Sequence, residues 1–125
     1  MLDLIPEAEE ETKEGIFDNL KYLKVTGEEI KPNVAWKWFT LFPKIPMVNA
    51  YGPTEASDDI THFIFDRDYL DTRIGFQERI PLGKTVQNLT LTVRDEHLNL
   101  VGPGIEGEIY VAGVGVGRGY INEIE

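Results

Sequence analysis

The hydrophobic pattern of this sequence changes character late in the chain, and that change limits the folds open to it. From Val86 onward apolar and polar residues alternate strictly, with Leu89, Leu91 and Val93 on one side. A period of two residues is typical of a half-buried strand in an antiparallel sheet. The segments before Val86 lack this period. We therefore expect two structural parts, the second of them mostly β.

Short apolar strands separated by one helix are predicted in the first part. Residues 20–26 favour a strand, and residues 31–42 favour a helix with Pro32 near its first turn. Residues 46–49 and 60–65 favour two further strands. The order strand, helix, strand is typical of a parallel βαβ unit, whose ligand site lies beyond the carboxyl ends of its strands.

The predicted fold class is α/β: a partial parallel βαβ unit followed by a mostly antiparallel β subdomain, similar to a distorted barrel. Residues 66–79 have mixed charge and no clean periodicity, so a connection is expected there. Strands are also predicted at 98–101 and 108–112. The expected division is an acidic N-terminal segment that is frayed or disordered (1–16), an α/β piece (17–66), a connecting loop (67–80) and a β-rich subdomain (81–125).

Composition excludes several classes of function. Twelve basic against 22 acidic residues give a formal charge of −10, which argues against nucleic acid or an anionic membrane surface as partner. The sequence has no cysteine, which excludes a disulfide framework, a thiolate metal site and a cysteine nucleophile. No apolar run reaches the roughly 18 residues of a membrane span, and the first residues lack the basic start of a secretory signal. We expect a soluble, cytoplasmic protein.

Residues 49–55, Asn-Ala-Tyr-Gly-Pro-Thr-Glu, group the side chains with the most chemistry. Tyr51 offers a flat face for a base, and the Gly-Pro pair bends the backbone. Thr54 and Glu55 then present hard oxygen ligands of the kind that magnesium prefers. Taken alone, the segment is also compatible with an ordinary turn.

Two other segments accompany this motif. Residues 20–28 read Leu-Lys-Tyr-Leu-Lys-Val-Thr-Gly-Glu, and residues 107–120 contain Gly-Glu-Ile-Tyr-Val-Ala-Gly and then Gly-Arg-Gly-Tyr. In order and spacing, the three segments resemble adenylate-forming (AMP-binding) enzymes, specifically the adenylation domains of nonribosomal peptide synthetases. The resemblance covers residues 17–122. Thr26 replaces a family glycine and Gly117 a family alanine, while the proline of the motif favours the peptide-synthetase branch.

The resemblance implies roles for individual residues. Tyr51 would stack on adenine, Thr54 would lie near the phosphates and Glu55 would help to bind the magnesium ion, which makes Thr54 and Glu55 the expected catalytic pair. Gly27 would allow the backbone to approach adenine closely, because it has no β-carbon. The expected nucleotide-binding set is Gly27, Glu28, Tyr51, Gly52 and Thr54.

When the family's substrate-pocket positions are transferred to this sequence without gaps, the resemblance implies a pocket formed by Lys24, Thr26, Ala50, Asp58 and Asp59. The two aspartates are suited to a basic or polar amino acid, yet Lys24 is able to neutralise one of them. They are equally well explained as surface charges. No substrate can be named from these residues.

Four further residues have expected roles outside these sets. Asn49 is expected to hold the motif through hydrogen bonds to backbone, and Arg118 to fix its glycine-rich loop through a carboxylate. His62 and His97 lack the spacing of metal ligands, so both are expected to be exposed on strand edges.

The resemblance implies activation of a carboxylic acid with ATP to an acyl-adenylate and pyrophosphate, followed by transfer to the phosphopantetheine thiol of a peptidyl carrier domain. ATP or AMP and magnesium would be the cofactors. The phosphate loop and ribose-binding segment of the family are not found in the chain, so an internal fragment is expected, inactive without the rest of the adenylation domain. A fragment of a free-standing acyl- or aryl-acid ligase and a non-catalytic acidic interaction module remain as alternatives.

Overall fold

The computed structural model describes residue 17 and residues 19–73 and 79–122. The expected acidic N-terminal segment, residues 1–16, lies outside the described residues. Eight elements follow one another along the chain: β1 (Leu23–Val25), α1 (Pro32–Leu41), β2 (Met47–Tyr51), β3 (Thr61–Phe65), α2 (Arg67–Arg73), β4 (Lys84–Thr85), β5 (Leu89–Arg94) and β6 (Glu108–Gly113).

The predicted βαβ unit is formed by β1, α1 and β2. Strands β1 and β2 run parallel, with Leu23 beside Met47. Helix α1 begins at Pro32, where the missing backbone N–H costs nothing because the first turn has no acceptor for it. The helix ends before Pro43, and Trp38 fixes the return to the sheet by donating from Nε1 to the carbonyl of Ile45 at 2.9 Å.

The first sheet has four strands in the order β1-β2-β3-β4. Strand β3 runs antiparallel to β2, with Met47 opposite Phe65, so β2 is paired on both sides. Apolar residues of one sheet face pack against α1, where Phe39 meets Phe65 edge to face at 5.8 Å. The buried core comprises Ile30, Ala35, Trp38, Phe39, Met47, Phe65, Leu70 and Ile80.

A short helix occupies part of the expected connecting loop. Helix α2 begins after Asp66, whose carboxylate accepts a hydrogen bond from the backbone N–H of Tyr69 at 2.9 Å, as an N-cap residue does. Its anchor is Leu70, which is fully buried in the core. Seven residues with one buried apolar side chain show no helical period, which explains why the sequence pattern favoured a loop. Residues 74–78 lie outside the described residues.

The second part contains an antiparallel pair, β5 and β6, in which Leu91 faces Val111. Leu89, Leu91 and Val93 are half-buried, as predicted, but Thr92 and Arg94 of the opposite face are half-buried too. The strand expected at 98–101 is not formed, and an isolated bridge between Arg94 and Leu100 stands in its place. The carboxylate of Asp95 accepts the backbone N–H groups of residues 97 and 99 and folds this segment into a turn. The described residues do not form a closed barrel.

Within the described ranges, no helix has both the length and the apolar character needed to cross a bilayer.

Candidate functional site

A cleft of about 490 Å³ opens where β1 and β2 end. This volume lies within the range of small-molecule sites, and the position beyond the carboxyl ends of parallel strands is the one predicted for a βαβ unit. Four of the five residues predicted to bind nucleotide line it: Gly27, Glu28, Tyr51 and Gly52. The fifth, Thr54, lies outside the lining.

Tyr51 and Gly52 form the turn out of β2. Tyr51 is the last residue of the strand and keeps 36% of its surface exposed at the cleft, so one side of its ring is accessible. Its carbonyl accepts the backbone N–H of Ile60 at 2.7 Å, which closes residues 52–59 into a loop. A β-carbon on Gly52 would lie 1.9 Å from the carbonyl oxygen of Asp58. Only glycine fits at this position.

Gly27 has a left-handed backbone conformation that favours glycine. Its φ is +87°, a conformation that costs other residues free energy. No atom of the described chain lies within 4 Å of a β-carbon built there, so the space in front of Gly27 is open. The next residues add charge at the rim, where Glu29 pairs with Arg79 at 3.4 Å and both side chains are exposed.

Asn49 donates side-chain hydrogen bonds to backbone, as predicted, but to residues 80 and 81 rather than within its own motif. Its side chain is buried and donates to the carbonyl of Pro81 at 2.8 Å and to that of Ile80 at 3.4 Å. These hydrogen bonds hold residues 80–82 in place, and the same residues line one side of the cleft. The cleft therefore has a fixed wall built from a segment 31 residues further along the chain.

Thr54 and Glu55 are exposed in the turn that follows the cleft. The backbone of this turn is joined to the second part of the molecule, because Gly117 donates to the carbonyl of Glu55 at 2.7 Å. The hydroxyl of Tyr120 donates to Glu55 Oε1 at 2.9 Å. This hydrogen bond, followed by the negative charge of Glu55, raises the pKa of Tyr120. The loop was expected to be fixed through Arg118, but in the described residues its carboxylate contact comes from Tyr120.

A polar cluster forms on the other side of the motif around Asp59, whose side chain is 4% exposed. Its carboxylate contacts the ammonium group of Lys24, accepts from Thr26 Oγ1 at 2.9 Å and lies 3.0 Å from Nε2 of His62. Three of the residues assigned to the substrate pocket thus meet in one network. His62 was missed, because a lone histidine in a strand carries no signal of its partner in the sequence.

The cluster is held together by charge. Burial alone raises the pKa of Asp59, but hydrogen bonds from Lys24, His62 and Thr26 outweigh it and the pKa is lowered. The pKa of Lys24 is raised, chiefly by its hydrogen bond to Asp59. Asp59 is therefore a charged, buried group with its partners in place.

The remaining two residues assigned to the pocket differ in exposure. Asp58 lies 3.3 Å from the Lys24 ammonium but keeps 76% of its side chain exposed, whereas the side chain of Asp59 is 4% exposed. Ala50 is buried and pairs with His62 across β2 and β3, which places it beside the cluster.

The residues present fit a nucleotide with magnesium. Tyr51 supplies an accessible ring and Gly27 faces open space, as an adenine site requires. The described residues contain no group of three or more metal-ligating side chains. Magnesium in nucleotide sites is held through one or two carboxylates together with phosphate oxygens and water, so a single exposed carboxylate such as that of Glu55 would fit such an ion.

Comparisons with known proteins support the resemblance to AMP-binding enzymes. The family model described as "AMP-binding enzyme" matches residues 1–121. Two plipastatin synthase subunits of Bacillus subtilis (strain 168) are each 38% identical over 83% of this chain. The D-alanine--D-alanyl carrier protein ligase of Lacticaseibacillus casei (strain BL23) is 33% identical over 87% of it. The chain spans 4% of each plipastatin synthase subunit and 21% of the ligase.

A solved structure of "an NRPS protein containing adenylation and PCP domains" superimposes on 95% of this chain with a TM-score of 0.74 and 26% identity. The chain covers 22% of that structure. The sequence and structure comparisons indicate the same family as the order of the motifs and the cleft beyond β1 and β2. The chain belongs to the AMP-binding enzyme family, in which it corresponds to part of an adenylation domain.

Proposed function

We propose that this chain forms the adenine and magnesium side of a site that activates an amino acid with ATP. The observation that supports this most directly is the cleft beyond β1 and β2, which brings Gly27, Glu28, Tyr51 and Gly52 together from two separate segments of the chain. In the whole reaction, a carboxylate attacks the α-phosphorus of ATP, which forms an acyl-AMP and releases pyrophosphate. The acyl group then passes to the phosphopantetheine thiol of a peptidyl carrier domain.

The residues of this chain bind and orient rather than react. Tyr51 offers its exposed ring to adenine, and the open space in front of Gly27 leaves room for the base. Thr54 and Glu55 lie in the exposed turn just beyond, where the phosphates would follow the base. Magnesium, when bound to Glu55, neutralises phosphate charge that would otherwise repel the carboxylate. Positioning and charge neutralisation of this kind lower the barrier to in-line attack on phosphorus.

The cluster of Lys24, Thr26, Asp59 and His62, with Ala50 and Asp58 beside it, is proposed as one side of the pocket for the acid. In this group one ammonium, that of Lys24, faces the carboxylates of Asp58 and Asp59. The carboxylate of Asp59 already has hydrogen-bond and ion-pair partners, so the carboxylate of Asp58 is the one more accessible to a substrate. The chemistry favours a polar or basic side chain over a large apolar one.

The partners proposed are the rest of the adenylation domain and a carrier domain. Large apolar side chains of the second part are exposed, among them Leu100, Ile105 and Val114, as expected of a surface that further chain covers. The charge of −10 makes nucleic acid and anionic membranes unfavourable partners. A cytoplasmic location, where ATP is supplied, is part of this proposal.

Pyrophosphate exchange tests the proposal. The full-length protein is incubated with ATP, magnesium, labelled pyrophosphate and a panel of single amino acids and aryl acids. We expect exchange that depends on one amino acid. Tyr51→Ala is expected to raise the KM for ATP by about tenfold, because stacking on the ring is lost.

Tyr22→Ala is the matched control, since Tyr22 is also an exposed tyrosine but lines a separate cleft with Pro43 and Lys44. Its KM for ATP should stay that of the wild type. Exchange with an aryl acid alone would favour the free-standing ligase instead. If no acid supports exchange and Tyr51 amide signals do not shift with ATP and magnesium, a non-catalytic acidic module explains the chain better.

A further inference from the structure

The turn carrying Glu55 is joined to the second part of the molecule at several points. Ser57 donates its backbone N–H to the carbonyl of Gly115 at 2.6 Å, and Gly117 donates to the carbonyl of Glu55 at 2.7 Å. Between these bonds, Ala56 and Val116 form an antiparallel bridge. The backbone on which Glu55 stands is thus fixed by residues 115–117.

The side chain of Glu55 is held by Tyr120, three residues beyond this segment. The hydroxyl of Tyr120 donates to Glu55 Oε1 at 2.9 Å, across 65 residues of sequence. Both side chains are exposed, so apolar packing does not explain the contact. Without it, an exposed glutamate after a turn samples several rotamers.

We propose that Tyr120 is a positioning residue that orients the Glu55 carboxylate for the metal ion. This inference rests on the proposed function, in which Glu55 binds magnesium with the nucleotide. The hydrogen bond occupies one carboxylate oxygen and leaves the other to face the ion. Partners of this kind fix the direction of a metal-binding carboxylate before the metal arrives.

The test compares metal dependence in wild-type protein and in Tyr120→Phe, which removes only the hydroxyl. In pyrophosphate exchange by the full-length protein, the magnesium concentration for half-maximal rate should rise by about threefold to tenfold, the usual worth of one hydrogen bond to a charged group near the surface. The rate at saturating magnesium should remain within about twofold. A separate readout is the binding of Mn²⁺ with ATP, followed by the relaxation of water protons, which should weaken by the same factor.

Tyr110→Phe is the matched control. Tyr110 donates to Glu108 Oε2 at 3.0 Å, so this variant removes another exposed tyrosine–glutamate hydrogen bond, one that lies on β6 outside the cleft. Its metal dependence should equal that of the wild type. Thermal unfolding of both variants checks that each is folded.

A double-variant cycle supplies the second measurement. In a Glu55→Ala background, Tyr120→Phe should weaken Mn²⁺ binding no further, because the carboxylate through which the hydroxyl acts has been removed. A further loss in that background, or equal metal dependence in Tyr120→Phe and Tyr110→Phe, would overturn the role of Tyr120 while leaving the proposed function intact. Absence of magnesium-dependent exchange in the wild type would overturn both.

Discussion

Asp59 shows at the scale of single residues how burial and charge combine in this molecule. Its carboxylate is almost completely buried, yet it stays ionised because Lys24, His62 and Thr26 supply partners. Neutralising such a buried carboxylate lowers the free energy of unfolding more than neutralising one at the surface, because its partners lose their hydrogen bonds as well.

We expect Asp59→Asn to lower the free energy of unfolding by about 1.5–3 kcal/mol at pH 7. Asp58→Asn, the exposed neighbour on the same lysine, should change it by less than about 1 kcal/mol.

Because the pKa of Asp59 is lowered on folding, its contribution is complete above the unfolded value of about 3.8 and is lost as the pH falls through the lower folded value. Urea unfolding from about pH 7 to about pH 2.5 should therefore show the two curves, wild type and Asp59→Asn, converging in acid. Equal losses for both aspartates would contradict the burial of Asp59.

Most members of this cluster, but not all, were predicted from the sequence. The family resemblance assigned Lys24, Thr26 and Asp59 to one pocket, and the structure places them in contact. His62 and Tyr120 were missed for a physical reason. Their contacts depend on strand register and on the docking of two distant segments, neither of which leaves a local pattern in the chain.

At the scale of elements, the unit β1-α1-β2 follows from strong local signals. Prolines mark both ends of α1, and its buried residues fall on one helix face. Two predictions from weak signals were wrong: α2, with a single buried anchor, was expected to be loop, and residues 98–101, expected to form a strand, belong instead to the turn that follows Asp95. Long elements with clear boundaries are thus predictable here, and short ones fixed by capping are not.

The packing of α1 on the sheet should dominate the stability of the first part. Phe39 is fully buried against Phe65, so Phe39→Ala is expected to reduce the free energy of unfolding by about 3–5 kcal/mol. Lys37→Ala, an exposed position of the same helix, should change it by no more than about 0.5 kcal/mol. Chemical denaturation followed by tryptophan fluorescence measures both. A loss below about 1 kcal/mol for Phe39→Ala would show that α1 does not form the core described.

At the scale of the whole molecule, the two parts meet where the motif turn contacts residues 115–117. We expect the amides of Ser57 and Gly117, which donate across this junction, to exchange with solvent through one shared opening and so with equal opening free energies. The Leu23 amide, bonded to Pro46 within the first part, should be better protected. Native-state hydrogen exchange by NMR gives all three values. Independent exchange of Ser57 and Gly117 would mean that the parts do not dock as a unit.

The bond between Tyr120 and Glu55 has a consequence for the order in which the molecule folds. It closes a loop of 65 residues, and the entropy lost on closing so long a loop delays such contacts relative to local ones. The strand-helix-strand unit can therefore form early, while the carboxylate reaches its final orientation only once the distal segment has docked. During synthesis this docking must wait until Tyr120 has left the ribosome, so the Glu55 carboxylate is oriented late.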